Sequence, residues 1–130
     1  MFENLDIFRM SNSMAKHAGH KQAVVAQNVA NADTPGYVAR DLLPFSDVYE
    51  PGSHGQMQRA TRAGHLNGGT ANAAYTSAEL ADTQSAPNGN RVSLETEMLK
   101  SVDAKRQHDR ALAIYKSALG LLRGALRTSG

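Results

Sequence analysis

The sequence predicts a mainly α-helical chain in which two long terminal helices flank an irregular middle segment. Residues 3–32 and 93–127 are rich in helix-forming residues and carry apolar side chains at intervals of three and four. Residues 52–90 are dominated by Gly, Asn, Ala, Ser and Thr. We therefore expect the terminal helices to pack as a coiled-coil-like layer, around a largely irregular insert with room for short β pieces.

The first predicted helix, residues 3–32, carries a narrow apolar stripe interrupted by Ser11 and Gln22. Its members are Phe8, Ala15, Ala18, Val25, Val29 and Ala32. A second stripe lies beside it and consists of Ile7, Met10, Met14 and Val24. Narrow stripes of this kind are typical of coiled-coil seams, and the small residues would let a partner helix approach closely. A single helix cannot bury two stripes against itself, so we expect it to need partners.

The heptapeptide Asn31-Ala32-Asp33-Thr34-Pro35-Gly36-Tyr37 predicts where this helix ends. Thr34 precedes a proline and is therefore disfavoured in helical geometry. Pro35 has a fixed φ and no amide donor. Gly36 can take the positive φ that a type II turn needs directly after proline. We therefore predict a helix end, a type II turn and then an extended chain.

The middle segment, residues 37–92, lacks the side chains for a conventional core. From residue 52 onwards its large aliphatic residues are Met57, Leu66, Leu80 and Val92. Tyr37–Leu43 and Asp47–Tyr49 are the best candidates for short strands or extended pieces. We predict loop for the remainder.

The second predicted helix, residues 93–127, has ends that suit helix formation. Ser93 is a suitable N-cap, and Glu95 and Glu97 lie in the first turn, where the helix dipole favours negative charge. Its apolar stripe consists of Leu94, Met98, Leu112, Tyr115, Leu119, Leu122 and Leu126. The middle of the stripe is polar, with Ser101, Lys105 and His108. We expect such a helix to gain its stability from packing within an assembly.

The composition excludes several classes of protein. The 130 residues include no cysteine and carry a formal net charge of only +2. Disulfides, thiolate catalysis and cysteine-based metal sites are therefore excluded, and basic residues are not clustered with aromatic ones as nucleic-acid binding would require. No apolar run can span a bilayer, and the acidic N-terminus Met1–Asp6 is unlike a secretory signal. We expect a cytoplasmic chain, or one exported without a cleaved signal peptide.

No residue pattern indicates a catalytic, cofactor or metal site. His17 and His20 can share a helix face, but no third ligand lies at helical spacing, so we expect solvated or subunit-facing histidines. No Gly-x-Ser-x-Gly elbow occurs, and Gly68–Thr70 lacks the lysine of a phosphate loop. Helix capping explains Glu95 and Glu97 better than acid–base chemistry does. We therefore predict no enzymatic activity, no cofactor and no small-molecule substrate.

Two strings resemble the signatures of bacterial flagellar axial proteins, the family of rod and hook subunits. Asn28–Tyr37 resembles the family's N-terminal signature, and its continuation Val38–Leu42 is similar to proximal rod proteins in particular. Asn88–Met98 resembles the string that opens the family's C-terminal helix. The resemblance makes the turn the family motif; its residues are Asn31, Asp33, Thr34, Pro35, Gly36 and Tyr37.

The resemblance implies a structural subunit of the flagellar proximal rod. Members of the family polymerise through their terminal helices into a hollow shaft that transmits torque. They are exported by the flagellar type III system without signal cleavage, which implies a location in the periplasmic rod of the basal body. The implied partners are further copies of the chain, rod proteins of the FlgC, FlgF and FlgG types, the adapter FliE, the membrane ring and the export gate.

The resemblance and the stripes together define the expected organisation. Residues 1–36 form the N-terminal axial helix, 37–92 the middle segment and 93–130 the C-terminal axial helix, the first and last making one helical domain. The expected assembly seam consists of Phe8, Val25, Val29, Leu94, Met98, Leu112, Tyr115, Leu119, Leu122 and Leu126.

Three other interpretations stay open. Another proximal rod protein, FlgC-like, would share the fold and the mode of assembly. A helical adapter that does not polymerise would be a well-folded monomer or dimer with ordered termini. A small helical enzyme would have a compact core and a preformed pocket.

Overall fold

Two long helices dominate the computed structural model, which describes residues 2–49, 78–79 and 89–128. Helix α1 spans Phe2–Ala30 and helix α3 spans Leu94–Thr128. Strand β1 (Arg40–Asp41), helix α2 (Phe45–Val48) and strand β2 (Ala78–Glu79) lie between them. The predicted mainly α fold with long terminal helices is confirmed. None of the described helices combines the length and the apolar character that a membrane crossing requires.

Helices α1 and α3 pack side by side and run antiparallel. Near the start of α1, the ring of Phe8 lies 5.2 Å from that of Tyr115, between centroids, in an edge-to-face arrangement. Near the end of α1, the side-chain nitrogen of Asn28 lies 3.0 Å from a carboxylate oxygen of Glu97. The start of α1 therefore lies beside the second half of α3, and the end of α1 lies beside the start of α3. Each helix covers the other over most of its length.

The seam between the two helices consists mainly of small residues at intervals of seven. Its buried members are Ser11, Ala18 and Val25 on α1, and Glu97, Ala104, Ala111 and Ala118 on α3. A seven-residue interval is the repeat of a coiled coil, which keeps one face of a helix toward its partner. Because alanine ends at Cβ, the two backbones can approach closely along the seam.

The chain that follows α1 covers one side of the helix pair. Ala39 and Leu42 are buried there, and the ring of Phe45 packs edge-to-face against that of His17 at 5.6 Å between centroids. Strand β1 pairs antiparallel with β2, with Arg40 opposite Glu79. The expectation of a short strand within residues 37–43 is therefore met.

The short strand or extended piece predicted around Asp47–Tyr49 is wrong for Asp47 and Val48, because both lie in α2. Pro44 precedes the helix with φ −53 and ψ 147, and its carbonyl accepts the amide of Asp47 at 3.0 Å. The chain returns to extended geometry at Tyr49, with φ −92 and ψ 114. A proline with a polar residue two and three positions later favours this tight turn over a strand. The expectations for Met57, Leu66, Leu80 and Gly68–Thr70 lie outside the described residues.

Candidate functional site

Helix α1 ends in the turn that the sequence predicts. The amide of Tyr37 donates to the carbonyl of Thr34 at 3.3 Å, and Gly36 has φ +73. With Pro35 at the second position and glycine at the third, these are the features of a type II turn. A residue with a Cβ would be strained at this φ, so glycine suits the position.

The second motif, which precedes α3, docks onto this turn. The side-chain nitrogen of Asn90 donates to the carbonyls of Asn31 and Thr34, at 3.0 and 2.8 Å. The amide of Arg91 donates to the carbonyl of Tyr37 at 3.0 Å. Asn90 is buried, and the two carbonyls also accept the backbone amides of Thr34 and Tyr37, so Asn90 adds a second donor to each and ties the turn to the chain before α3. The two motifs, more than fifty residues apart in sequence, are therefore one structural unit.

Asn28 lies at the centre of this unit and is fully buried. Its oxygen accepts from the hydroxyl of Tyr37 at 3.2 Å and from the amide of Arg40 at 3.0 Å. Its nitrogen donates to the carbonyl of Arg40 at 2.7 Å and to the carboxylate of Glu97 at 3.0 Å. An amide side chain offers two acceptor and two donor positions. All four are used, which fixes the orientation of Asn28 and joins α1, β1 and α3.

Glu97 is a buried carboxylate, 1% exposed, that is bonded from two sides. Its second oxygen lies 3.1 Å from the ammonium of Lys100, which also lies 3.1 Å from the carboxylate of Asp41. Burial alone would lower the pKa of Lys100, but hydrogen bonds and charges from Asp41 and Glu97 outweigh it and raise that pKa. The sequence interpretation of Glu97 as a helix-dipole residue missed this role. We call residues 28–41 together with 89–100 the turn junction.

His17 is buried, and the expectation of a solvated or subunit-facing histidine is wrong for it. Its Nε2 lies 2.8 Å from the carbonyl oxygen of Leu43, and its Nδ1 lies 3.0 Å from the side-chain nitrogen of Gln107. Because a carbonyl can only accept, Nε2 donates and Nδ1 accepts from Gln107. His20 is exposed. No three His, Asp or Glu side chains in the described part of the chain are grouped to hold a metal ion.

Two open grooves lie between α1 and α3. The groove near the start of α1 is lined by residues that include Phe8, Ala15, Ala111, Leu112 and Tyr115. The groove near the middle of α1 is lined by residues that include Ala18, Gln22, Ala104, Lys105 and His108. Residues of the predicted stripes therefore line both grooves, together with the buried seam residues Ala18, Ala104 and Ala111.

The predicted assembly seam divides into an internal and an exposed part. Val25 is buried between the helices, Phe8 is half-buried against Tyr115, and Val29 is exposed. We use the name apolar stripe for the members of the predicted assembly seam that lie on α3. Leu94, Met98, Leu112, Tyr115 and Leu126 are exposed, and Leu119 and Leu122 are half-buried. Pairing within the chain uses mainly the alanines, with Tyr115 against Phe8, and most of the large side chains of the stripe stay exposed.

Two comparisons with known proteins bear on this arrangement. Residues 16–37 match the family described as flagella basal body rod protein. The chain is also similar to the flagellar basal body rod protein FlgB of Agrobacterium fabrum (strain C58 / ATCC 33970), with 31% identity over 116 residues and 87% of each chain covered. The family match includes Asn28 and the complete turn through Tyr37, which are the α1 side of the turn junction.

Proposed function

Since this chain belongs to the flagellar basal body rod protein family, and is therefore a structural subunit of the basal-body rod, we propose that it polymerises through its terminal helices into the proximal part of that rod. The observation that supports this proposal is the exposed apolar stripe. Met98 and Leu126, for example, are 68% and 67% exposed. Exposed apolar patches mark sites of protein–protein interaction, and the stripe offers one on each side of its polar centre.

The geometry of the stripe favours polymerisation over closed pairing. From Leu94 to Leu126 it extends roughly 48 Å at 1.5 Å per residue, so one copy can contact more than one neighbour. A contact between two different surfaces repeats without closing and gives a helical filament. Burying each large aliphatic side chain would contribute about 1.5–3 kcal/mol per contact. The polar centre, with Lys105 and His108 at the groove near the middle of α1, would restrict which partner helix fits.

The finer features of the role are also proposals. The rod family assembles with other flagellar rod components; we propose that the neighbours of this chain are the FlgC, FlgF and FlgG types, the adapter FliE, the membrane ring and the export gate. We propose that the chain reaches the periplasmic rod by type III export with an uncleaved N-terminus. It would act without catalysis, as a link in the shaft that transmits torque. The structural use of Asn28, Glu97 and His17, all buried and hydrogen-bonded, supports that role.

Two double variants of matched exposure test the use of the stripe. Met98→Gln with Leu126→Gln changes the stripe, where the two side chains are 68% and 67% exposed. Leu99→Gln with Leu121→Gln changes side chains that are 69% and 72% exposed but lie outside it. Glutamine keeps helix propensity high, so both chains should fold. Each gene is supplied to a strain that lacks the chain, and motility and isolated basal bodies are examined.

We expect the stripe variant to lose rods and swimming while the membrane ring remains. The off-stripe variant should assemble rods as the unaltered chain does. Normal rods in the stripe variant, or an equal loss in both variants, would show that this surface does not carry the subunit contact. Purified chains with equal helix content by circular dichroism make sure that the comparison concerns assembly and not folding.

A further inference from the structure

The alanine seam alone does not determine how α1 and α3 align along their length. Ala104, Ala111 and Ala118 are all buried on α3 at intervals of seven. A slip of one heptad, roughly 10 Å at 1.5 Å per residue, would place Ala111 where Ala104 now lines a groove together with Ala18. The surface presented to α1 would keep the same shape. Packing of the alanines therefore cannot discriminate between the two registers.

Glu97 occupies the heptad position before Ala104 and breaks this repetition. Among the buried residues of the α3 seam in the described chain, it is the one that is not alanine. Its carboxylate accepts from the fully buried Asn28 at 3.0 Å. A slip of one heptad would separate the two and leave one of the two N–H groups of the buried amide without its acceptor, while the other still donates to Arg40. An unpaired buried polar group costs more than the exchange of one hydrogen bond for another.

We propose that the hydrogen bond between Asn28 and Glu97 sets the register of α3 against α1. A buried polar pair in a helical seam is a well-attested device for this purpose. Asn28 and Glu97 are both buried, whereas Gln107, which bonds to His17 across the helix pair, is only half-buried. The exposed hydrogen bond from Gln22 to Ser101, 2.9 Å long, also crosses the pair. Its groups can bond to water when they are parted, so it contributes little to the choice of register. The proposal concerns the single chain and does not depend on polymerisation, although the register decides where the apolar stripe lies relative to α1.

Introduced cysteine pairs can report the register, because the chain has no cysteine. Ala18→Cys with Ala104→Cys reports the observed register, and Ala18→Cys with Ala111→Cys reports the slip of one heptad. A disulfide needs Cα atoms within about 7 Å, which a slip of roughly 10 Å exceeds. The full-length chain is oxidised, the cross-linked fraction is measured by mass spectrometry and gel mobility, and helix content is measured by circular dichroism.

With Glu97 present, we expect the disulfide of the first pair to predominate and that of the second to be a minor fraction. Glu97→Ala completes the alanine repeat and should raise the slipped disulfide about tenfold or more, since a hydrogen bond to a charged group is worth more than that factor. Glu97→Gln keeps an acceptor for Asn28 and should restore the observed register. Ser101→Ala, which removes the exposed bond, is the matched control and should behave as the unaltered chain does.

Three results would overturn the proposal. One is a disulfide from the first pair alone in the Glu97→Ala chain, which would assign the register to other contacts, such as that between Gln107 and His17. Another is an equal rise of the slipped disulfide, between Cys at positions 18 and 111, in the Glu97→Ala and Ser101→Ala chains. The third is a loss of helix content in Glu97→Ala, because the carboxylate would then be needed for folding and not for the choice between two folded alignments.

Discussion

Single residues carry much of the specificity of this chain, and Asn28 is the clearest case. Its four hydrogen bonds reach Tyr37, Arg40 and Glu97, which belong to three separate segments. Its neighbours in the seam are mostly small and apolar, so they pack without directional preference. The amide of Asn28 supplies the directional preference, because its four hydrogen bonds can form together in only one arrangement of the segments that it contacts.

The ion pairs of Lys100 predict how stability depends on alkaline pH. The raised pKa of Lys100 means that its charged form is favoured more in the folded than in the unfolded chain. Its contribution is therefore fully present below the ordinary value of 10.5 and is lost as pH rises through the higher folded pKa. As pH rises from 10.5 through the folded pKa of Lys100, we expect the free energy of unfolding to fall less in Lys100→Met than in the unaltered chain.

Urea unfolding at a series of pH values measures this difference. Lys16→Met is a suitable control, because Lys16 is an exposed lysine on α1 and its removal should leave the alkaline loss of stability unchanged. Parallel curves for the unaltered chain and Lys100→Met would contradict the prediction, since they would mean that the pairs with Asp41 and Glu97 contribute equally at all pH values.

The sequence predicts some residues of the turn junction well and others not at all. The geometry at Gly36 follows from its neighbour Pro35, because the chemistry of a β-turn is local. Glu97 and His17 were misread because their partners lie 69 and 90 residues away in the chain. A carboxylate in a first helical turn, or a histidine on a helix, looks solvent-exposed until the segment that covers it is known.

The helices themselves were predicted to within two residues at each end. Their composition and end residues suffice for this, as the start of α3 directly after Ser93 shows. The buried face of α3 differs from the predicted stripe, because the stripe consists of the largest apolar side chains and the seam uses Ala104, Ala111 and Ala118. The signal was available as an alanine repeat with a period of seven. Alanine is so common in helices that the repeat carries little weight without a partner surface.

A substitution in the seam tests the close approach of α1 and α3. Ala104 is 1% exposed between the helices, so Ala104→Leu must push them apart or distort its own rotamer. We expect a loss of about 1–3 kcal/mol in the free energy of unfolding. Ala113→Leu adds the same side chain on the exposed face of α3 and should leave stability within about 0.5 kcal/mol. Equal values from urea unfolding of the two variants would contradict a tightly packed seam.

At the scale of the whole molecule, the buried side chains and the hydrogen bonds of the described residues are concentrated in two places. These are the seam between α1 and α3 and the turn junction. The last turns of α3 are different, because none of the residues 119–127 is buried. Local opening is easiest where few apolar contacts are buried. The molecule therefore combines a well-bonded end near the turn with a more exposed end at the close of α3.

Hydrogen exchange should show this division. In the free full-length chain we expect slower amide exchange in residues 11–28 and 97–118 than in residues 121–128, measured on peptides by mass spectrometry. In isolated rods, residues 121–128 should gain protection if subunit contacts cover the stripe. Uniform exchange along α3 in the free chain would be inconsistent with the burial pattern, and unchanged exchange in rods would place the subunit contact elsewhere.

The contact between the two motifs has a consequence for how the chain can vary in length. Because Asn90 bonds to Thr34 and Arg91 bonds to Tyr37, the intervening chain leaves and returns at one point. The entropy of closing such a loop grows only logarithmically, so doubling its length costs about 0.6 kcal/mol. The interval between Tyr49 and Gly89 is therefore suited to accept an inserted domain or epitope tag while α1 and α3 keep their pairing.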